Sequence, residues 1–223
     1  MDRTLRVGGG LALVAAPVSL VASELLYVTT PDDPAQGLAI IQAHESAWLA
    51  ANLLGLLAAA LFVPAITLLA GLCGRVLAVT GMTLSALGVV GYAAHTGMFM
   101  VIGQLARQES ERAAVARLLP ALDGDPGGAV VLLMFLGGLY LGLVLLMIGA
   151  YRTRRAPLWA MICLVVAVLL GVVPLGVDTI EYAAEALVIA GLGGAGIHAL
   201  RTQGAQPGTA TRQVAPEAIR RTS

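Results

Sequence analysis

Six stretches of roughly 20 or more mostly apolar residues dominate this chain, each long enough for a helix to cross the ~30 Å hydrocarbon core of a bilayer. They run from Val7 to Val28, Ala47 to Leu72, Val76 to Leu105, Ala129 to Ala150, Pro157 to Val177 and Asp178 to Leu200. Backbone amides in a bilayer have no water to bond, so each stretch is expected to be helical. The expected fold class is therefore all-α, a polytopic transmembrane bundle of six spanning helices. Composition agrees: 58% of the residues are hydrophobic and 12% charged, which excludes an ordinary soluble enzyme, a disulfide-rich secreted scaffold and a disordered chain. Thirteen basic residues balance thirteen acidic ones, leaving no net field to attract nucleic acid. The chain divides into a transmembrane domain over 1–201 and a tail over 202–223. The tail, rich in Thr, Gln, Pro, Ala and Arg, has no hydrophobic period and is expected to be disordered.

Arginine placement sets the orientation. Every basic residue is Arg; Arg3, Arg6, Arg75, Arg152, Arg154, Arg155, Arg201, Arg212, Arg220 and Arg221 fall on one side of a six-helix path, with Arg107, Arg112 and Arg117 on the other. The chain is thus expected in a bacterial plasma membrane with both termini cytoplasmic, the segments Thr29–Ser46 and Ala106–Gly128 facing outward. A competing reading takes the first stretch as a signal peptide cut after Ser23, leaving five spans. Against it, Glu24 to Val28 continues the hydrophobic run. Cys73 and Cys163 fall near cytoplasmic helix ends, where thiols stay reduced, and no disulfide is expected.

The connections differ in kind. Cys73-Gly74-Arg75 and Tyr151 to Ala156 are short enough to force tight antiparallel hairpins. Thr29 to Pro34 is turn-rich, and Leu38, Ala39, Ile40 and Ile41 after it are expected on the membrane surface. In the other outer segment, Ser110 to Leu119 is expected to form an interfacial helix. Ala114, Val115, Leu118 and Leu122 share one side, Arg107 and Glu111 lie four apart, and Leu-Asp-Gly-Asp-Pro-Gly-Gly ends the helix. Gly137, Gly138 and Gly142, and Gly191, Gly193, Gly194 and Gly196, suit close helix contact.

Charged groups at membrane depth are costly, which makes them functional candidates. Glu24 lies near the outer end of the first span, while Asp178, Glu181 and Glu185 descend the sixth from its outer end. Asn52 in the second span and Tyr92 and His95 in the third lie in the same outer half. Asp178, Glu181, Tyr182 and Glu185 stack into one stripe at helical spacing and are expected to face protein. His44, Trp48 and Asn52 form a ladder with Glu45 beside it, and Tyr92, His95 and Phe99 share a side. Converging, these stripes make an outward-opening pocket for a proton, a divalent metal or a cationic small molecule. Carboxylates crowded in low dielectric cannot all ionise, so the pocket would hold a proton or bind a cation.

A structural reading of the same residues stands beside this one. Asp178 suits the N-cap of the last helix, and Glu181 complements its positive dipole end. Glu24 and Glu185 serve as interhelical hydrogen-bonding groups with Tyr92, Asn52 or Thr96, and Trp48 as an interface anchor. No cofactor is indicated: His95 and His198 lie at different depths, which disfavours a bis-histidine haem, and neither HExxH nor GxSxG occurs.

In its short N-terminal arm, acidic first outer loop, His44-Glu45-x-x-Trp48 entry to the second helix and Gly74-Arg75 turn, the chain resembles a class of uncharacterised bacterial integral membrane proteins with six predicted helices. The resemblance spans residues 1 to about 200; it implies a six-helix fold and no activity, cofactor or site residue. The leading expectation is a structural or accessory multi-pass protein acting through the bilayer, a homo-oligomer or a membrane partner. The alternative is a carrier or sensor of a proton, metal or small cation; a redox or hydrolytic enzyme is a third reading, with no catalytic motif to support it.

Overall fold

The computed structural model describes residues 3–27, 33–108, 110, 112–123, 125–172 and 178–204. Regular structure among them is entirely helical. In chain order the helices are α1 (Arg3–Leu26), α2 (Pro34–Ala43), α3 (Glu45–Leu72), α4 (Arg75–Ala106), α5 (Arg112–Asp123), α6 (Pro126–Leu133), α7 (Leu141–Arg152), α8 (Leu158–Val172) and α9 (Asp178–Gly204). A π-helical segment, Met134–Tyr140, joins α6 to α7, so Pro126–Arg152 is one continuous apolar rod.

Five of these rods are long and apolar enough to cross a membrane: α1, α3, α4, the α6–α7 rod, and Tyr182–Thr202 within α9. They fall where five of the six expected spans were placed. The fifth expected span, Pro157 to Val177, is met by α8 alone, whose 15 residues reach about 22 Å, short of a ~30 Å core. Residues 173–177, needed to complete it, lie outside the described residues. Helix α4 is the longest, as expected: its 32 residues extend about 48 Å, more than an untilted crossing of a ~30 Å core requires. Helix α9 continues to Gly204, past the expected domain boundary, and residues 205–223 lie outside the described residues.

Helix α1 packs between α3 and α9; α3 then contacts α4, α4 the π segment and α7, and α8 lies against α9. The residues 3–23 that a signal-peptide reading would remove supply Leu13, Ala16 and Leu20 to the main core, alongside Phe62, Leu69, Leu146, Leu164 and Leu192. Lipid tails are as apolar as leucine, so close approach of backbones, more than apolar burial, holds such helices together. Two contacts show how the sequence provides it. A Cβ on Gly88 of α4 would collide with the backbone nitrogen and Cα of Leu139, and one on Gly138 would come within 2.9 Å of the Gly88 nitrogen. Where α1 meets α9, a Cβ on Gly196 would come within 2.6 Å of the Gly10 carbonyl oxygen. The expected glycine contacts are thus made within the chain at Gly138, Gly142, Gly191, Gly194 and Gly196, whereas a Cβ on Gly193 meets nothing.

Both expected tight hairpins are present. The α7–α8 connection is tied to the end of α3: Thr153 Oγ1 donates to the Leu72 carbonyl at 2.6 Å and Arg155 Nη1 to that of Gly71 at 3.2 Å.

At the opposite end, the two longer connections form a cap. Asp-Pro pairs start α2, within the cap, and α6, where the chain leaves it: Asp33 accepts from the Ala35 amide before Pro34, and Asp125 from the Gly127 and Gly128 amides before Pro126. Aspartate serves the free amides while proline needs no partner at the first helical position. Leu38 and Ile41 are buried against Trp48, Ile102, Ala106 and Val115. In the α2 segment expected on the membrane surface, Leu38 and Ile41 thus turn to protein, against α3, α4 and α5. Helix α5 falls near its expected place, with Val115 buried and Leu118 exposed. Glu111 lies outside the described residues, and Arg107 pairs instead with Glu45 across α3 and α4, at 2.5 Å.

Candidate functional site

Beneath this cap lies a cavity of about 280 Å³. The last turn of α1 contributes Ser23, Glu24 and the adjoining Tyr27; α3 contributes Trp48, α4 contributes Tyr92, His95, Thr96 and Phe99, and the π segment contributes Phe135. The elements meet here because α1 ends where α3 begins, and both flank the upper half of α4. The wide turn of the π segment, a feature that recurs at functional sites, carries Phe135 onto the Tyr92 ring, with centroids 4.6 Å apart and planes 24° from parallel.

Aromatic rings form most of the wall. Tyr27 meets Trp48 edge to face at 5.0 Å and Phe99 at 5.9 Å, and His95 meets Phe99 at 4.7 Å. Aromatic residues are only 4% of the chain, so gathering Tyr27, Trp48, Tyr92, Phe99 and Phe135 around one space is a marked concentration. Because the rings meet at steep angles, their π faces point in several directions instead of forming one slab.

Most polar atoms of the lining already serve the protein. Ser23 Oγ donates to the Ala51 carbonyl at 2.7 Å, Tyr27 Oη to Asn52 Oδ1 at 2.9 Å, and Trp48 Nε1 to the Phe99 carbonyl at 3.2 Å. The Tyr92 hydroxyl is in hydrogen-bonding company with Ser23 and Thr96. Glu24 is exposed on the cavity side and close enough to Tyr27, Tyr92 and Tyr140 to act on each electrostatically.

Of the expected site residues, Glu24, Tyr92 and His95 come together. Asn52 does not reach this cavity: it is fully buried behind Tyr27, with its amide nitrogen donating to the Trp48 carbonyl at 2.8 Å. Glu185 is half-buried on α9 and joins Glu24 in acting on Tyr140. The backbones of Asp178 and Glu181 belong to α9, while their side chains lie outside the described residues. The stripe they were expected to form does not face protein as a whole, since Tyr182 is 57% exposed. Trp48 is no interface anchor, being 5% exposed within the protein. Sequence reasoning missed Ser23, Tyr27 and Phe135 as lining residues. A signal existed for Tyr27, which follows Glu24 by three residues and so shares its face.

Among the described residues, no group of three or more His, Cys, Asp and Glu side chains is placed to hold a metal ion. Glu24 is the one carboxylate among the described lining residues. What the arrangement offers chemically is a negative charge set against π faces in a partly enclosed space. Neither a protein-family model, nor a curated protein, nor a solved structure matches the chain.

Proposed function

We propose that this chain is a plasma-membrane protein of six spans with both termini cytoplasmic, and that its cavity opens outward and takes a small cation, as a carrier or a sensor. Arginine asymmetry supports the orientation. The apolar residues that follow α8 in the sequence support counting the Pro157 to Val177 stretch as a span. The observation that carries the functional reading is Glu24 in the wall of a largely aromatic cavity of about 280 Å³. A carboxylate at that depth is costly and so marks a functional candidate. At this size the cavity falls just below the ~300 Å³ at which ligand pockets usually begin, which suits a molecule of few heavy atoms.

Trp48 gives the test a built-in probe. In a W159F background it is the only tryptophan, and it lines the cavity. Titrating the purified full chain with protons, sodium, potassium, magnesium and ammonium salts should give a saturable change in Trp48 emission for at least one cation, absent in E24Q. Uptake of that cation into proteoliposomes then separates carrier from sensor. No response to any cation would overturn the reading. Labelling of cysteines introduced at Ser46 and Thr202, in a chain lacking Cys73 and Cys163, tests the orientation: an impermeant reagent should reach position 46 from outside and position 202 only after lysis.

A second reading, a structural or accessory protein acting through a homo-oligomer or a membrane partner, draws support from the polar zone itself. Ser23, Tyr27, Trp48 and Asn52 spend hydrogen bonds on binding helix to helix. A discrete crosslinked species in native membranes would favour it.

A further inference from the structure

We infer that the cavity selects a methylated ammonium ion, a small organic cation with few or no N–H groups, over an inorganic cation or a primary amine. The inference rests on the cation reading above and narrows it. An alkaline-earth or similar hard cation needs about six oxygen ligands. The described lining offers one carboxylate and no group of three metal-ligating side chains. A primary ammonium carries three N–H donors that each need an acceptor when desolvated. For those donors Glu24 is the one charged acceptor among the described lining residues, while the N–H and O–H groups of Ser23, Tyr27 and Trp48 are spent on protein acceptors. What it presents in quantity is π surface, from Tyr27, Trp48, Tyr92, Phe99 and Phe135.

A quaternary or tertiary ammonium matches that wall. Its charge is spread over methyl groups, it makes few or no hydrogen-bond demands, and it is attracted to the negative faces of aromatic rings. Glu24 supplies the full countercharge, reached without direct hydrogen bonding. The Tyr27–Trp48 and Tyr27–Phe99 planes lie 76° and 85° apart, so the lining rings do not share one plane.

The test compares choline with its neutral carbon isostere, 3,3-dimethyl-1-butanol, on the full chain in detergent. Trp48 emission in the W159F background is the readout, and the rise in melting temperature of the unsubstituted chain is an independent second one. Choline should bind saturably and about tenfold more tightly than the alcohol, with E24Q and F99L each losing about tenfold, the scale of a desolvated cation–π contact. F99L keeps apolar bulk and removes only a ring, so its loss reports π character instead of cavity collapse. If an inorganic cation or ammonium responds with Glu24 dependence while choline does not, this inference falls and the broader cation reading stands. Equal affinity for choline and the alcohol overturns this inference, and no response to any cation overturns both.

Discussion

Tyr27 Oη donates to Asn52 Oδ1 at 2.9 Å, joining the end of α1 to the second turn of α3 directly behind the cavity wall. Asn52 is fully buried and spends its amide on the Trp48 carbonyl one turn earlier, so a single side chain ties Tyr27 to the backbone of α3. Removing it leaves the tyrosine hydroxyl without its acceptor. Interhelical bonds of this kind contribute about 0.6 kcal/mol on average and up to about 1.7, so N52A should destabilise by about 1–2 kcal/mol once the lost packing is included. Y27F should cost less, and the double variant should fall short of the sum because both remove one bond. Thermal unfolding in detergent of the four chains checks this; strict additivity would show that the bond contributes nothing.

Cys73 illustrates how burial silences a thiol at the other end of the bundle. Its single S–H lies between the carbonyls of Leu69, with Sγ at 3.1 Å, and Leu146, at 3.0 Å, so it can donate to α3 or to α7. Burial pushes the thiol up from 9.0 to about 11, opposed in part by a backbone hydrogen bond at Ala150. Fewer thiolates at pH 8, partly offset by their greater nucleophilicity, should make maleimide labelling about tenfold slower than for an unperturbed thiol. The rate in a C163S chain should climb with pH until about 11. Because the folded chain holds this proton more tightly than the unfolded one, the stability it contributes is fully present below pH 9 and is lost as pH rises toward 11. Labelling as fast as that of a small thiol at pH 8 would contradict the burial.

The spans were legible because the bilayer requirement acts along one dimension: about 20 apolar residues in a row suffice to mark a helix. Rotation about each helix axis was not legible. Whether Tyr182 faces protein or Asn52 reaches the cavity depends on which neighbour a helix meets, and that is decided by contacts such as Gly88 against Leu139, between residues distant in sequence. The Asp33-Pro34 and Asp125-Pro126 pairs were visible as helix punctuation, yet the burial of Leu38 and Ile41 was not, since it depends on Ile102, Ala106 and Val115, which are distant in sequence. The site was half readable. Glu24, Tyr92 and His95 were found as costly polar groups, whereas Phe135 carries no polar signal and reaches the cavity only through the π segment.

The α4 glycines separate close packing from helix propensity within one element. A Cβ at Gly88 would overlap Leu139 backbone atoms, which cannot swing aside as a flexible side chain can. Accommodating it means separating α4 from the π segment, so G88A should destabilise by about 2–3 kcal/mol. At Gly97 a Cβ meets nothing within 4 Å. There the substitution only exchanges a poor helix former for a good one, and G97A should be neutral or more stable by up to about 1 kcal/mol. Comparing unfolding of the two variants under identical detergent conditions decides the matter. Equal effects would mean that the α4–π contact is looser than the geometry indicates.

Arg154 occupies a position made for glycine. The amide of Arg155 donates to the Ala150 carbonyl at 2.8 Å and that of Arg154 to Tyr151 at 2.8 Å, the paired bonds that end a helix through a left-handed residue. Arg154 is that residue, with φ of 59°, and among the described residues it alone combines positive φ with a side chain. A left-handed conformation costs a β-carbon-bearing residue about 1–2 kcal/mol relative to glycine. Glycine recovers this but gains freedom in the unfolded chain, so R154G should raise stability by a net of about 1 kcal/mol. R154A discriminates the cause: it removes the same charge while leaving the strained φ, and should bring no gain. Arg152 and Arg155 remain in either variant, so the orientation reported by labelling at positions 46 and 202 should not change. A gain in R154A equal to that in R154G would assign the effect to charge and not to backbone conformation.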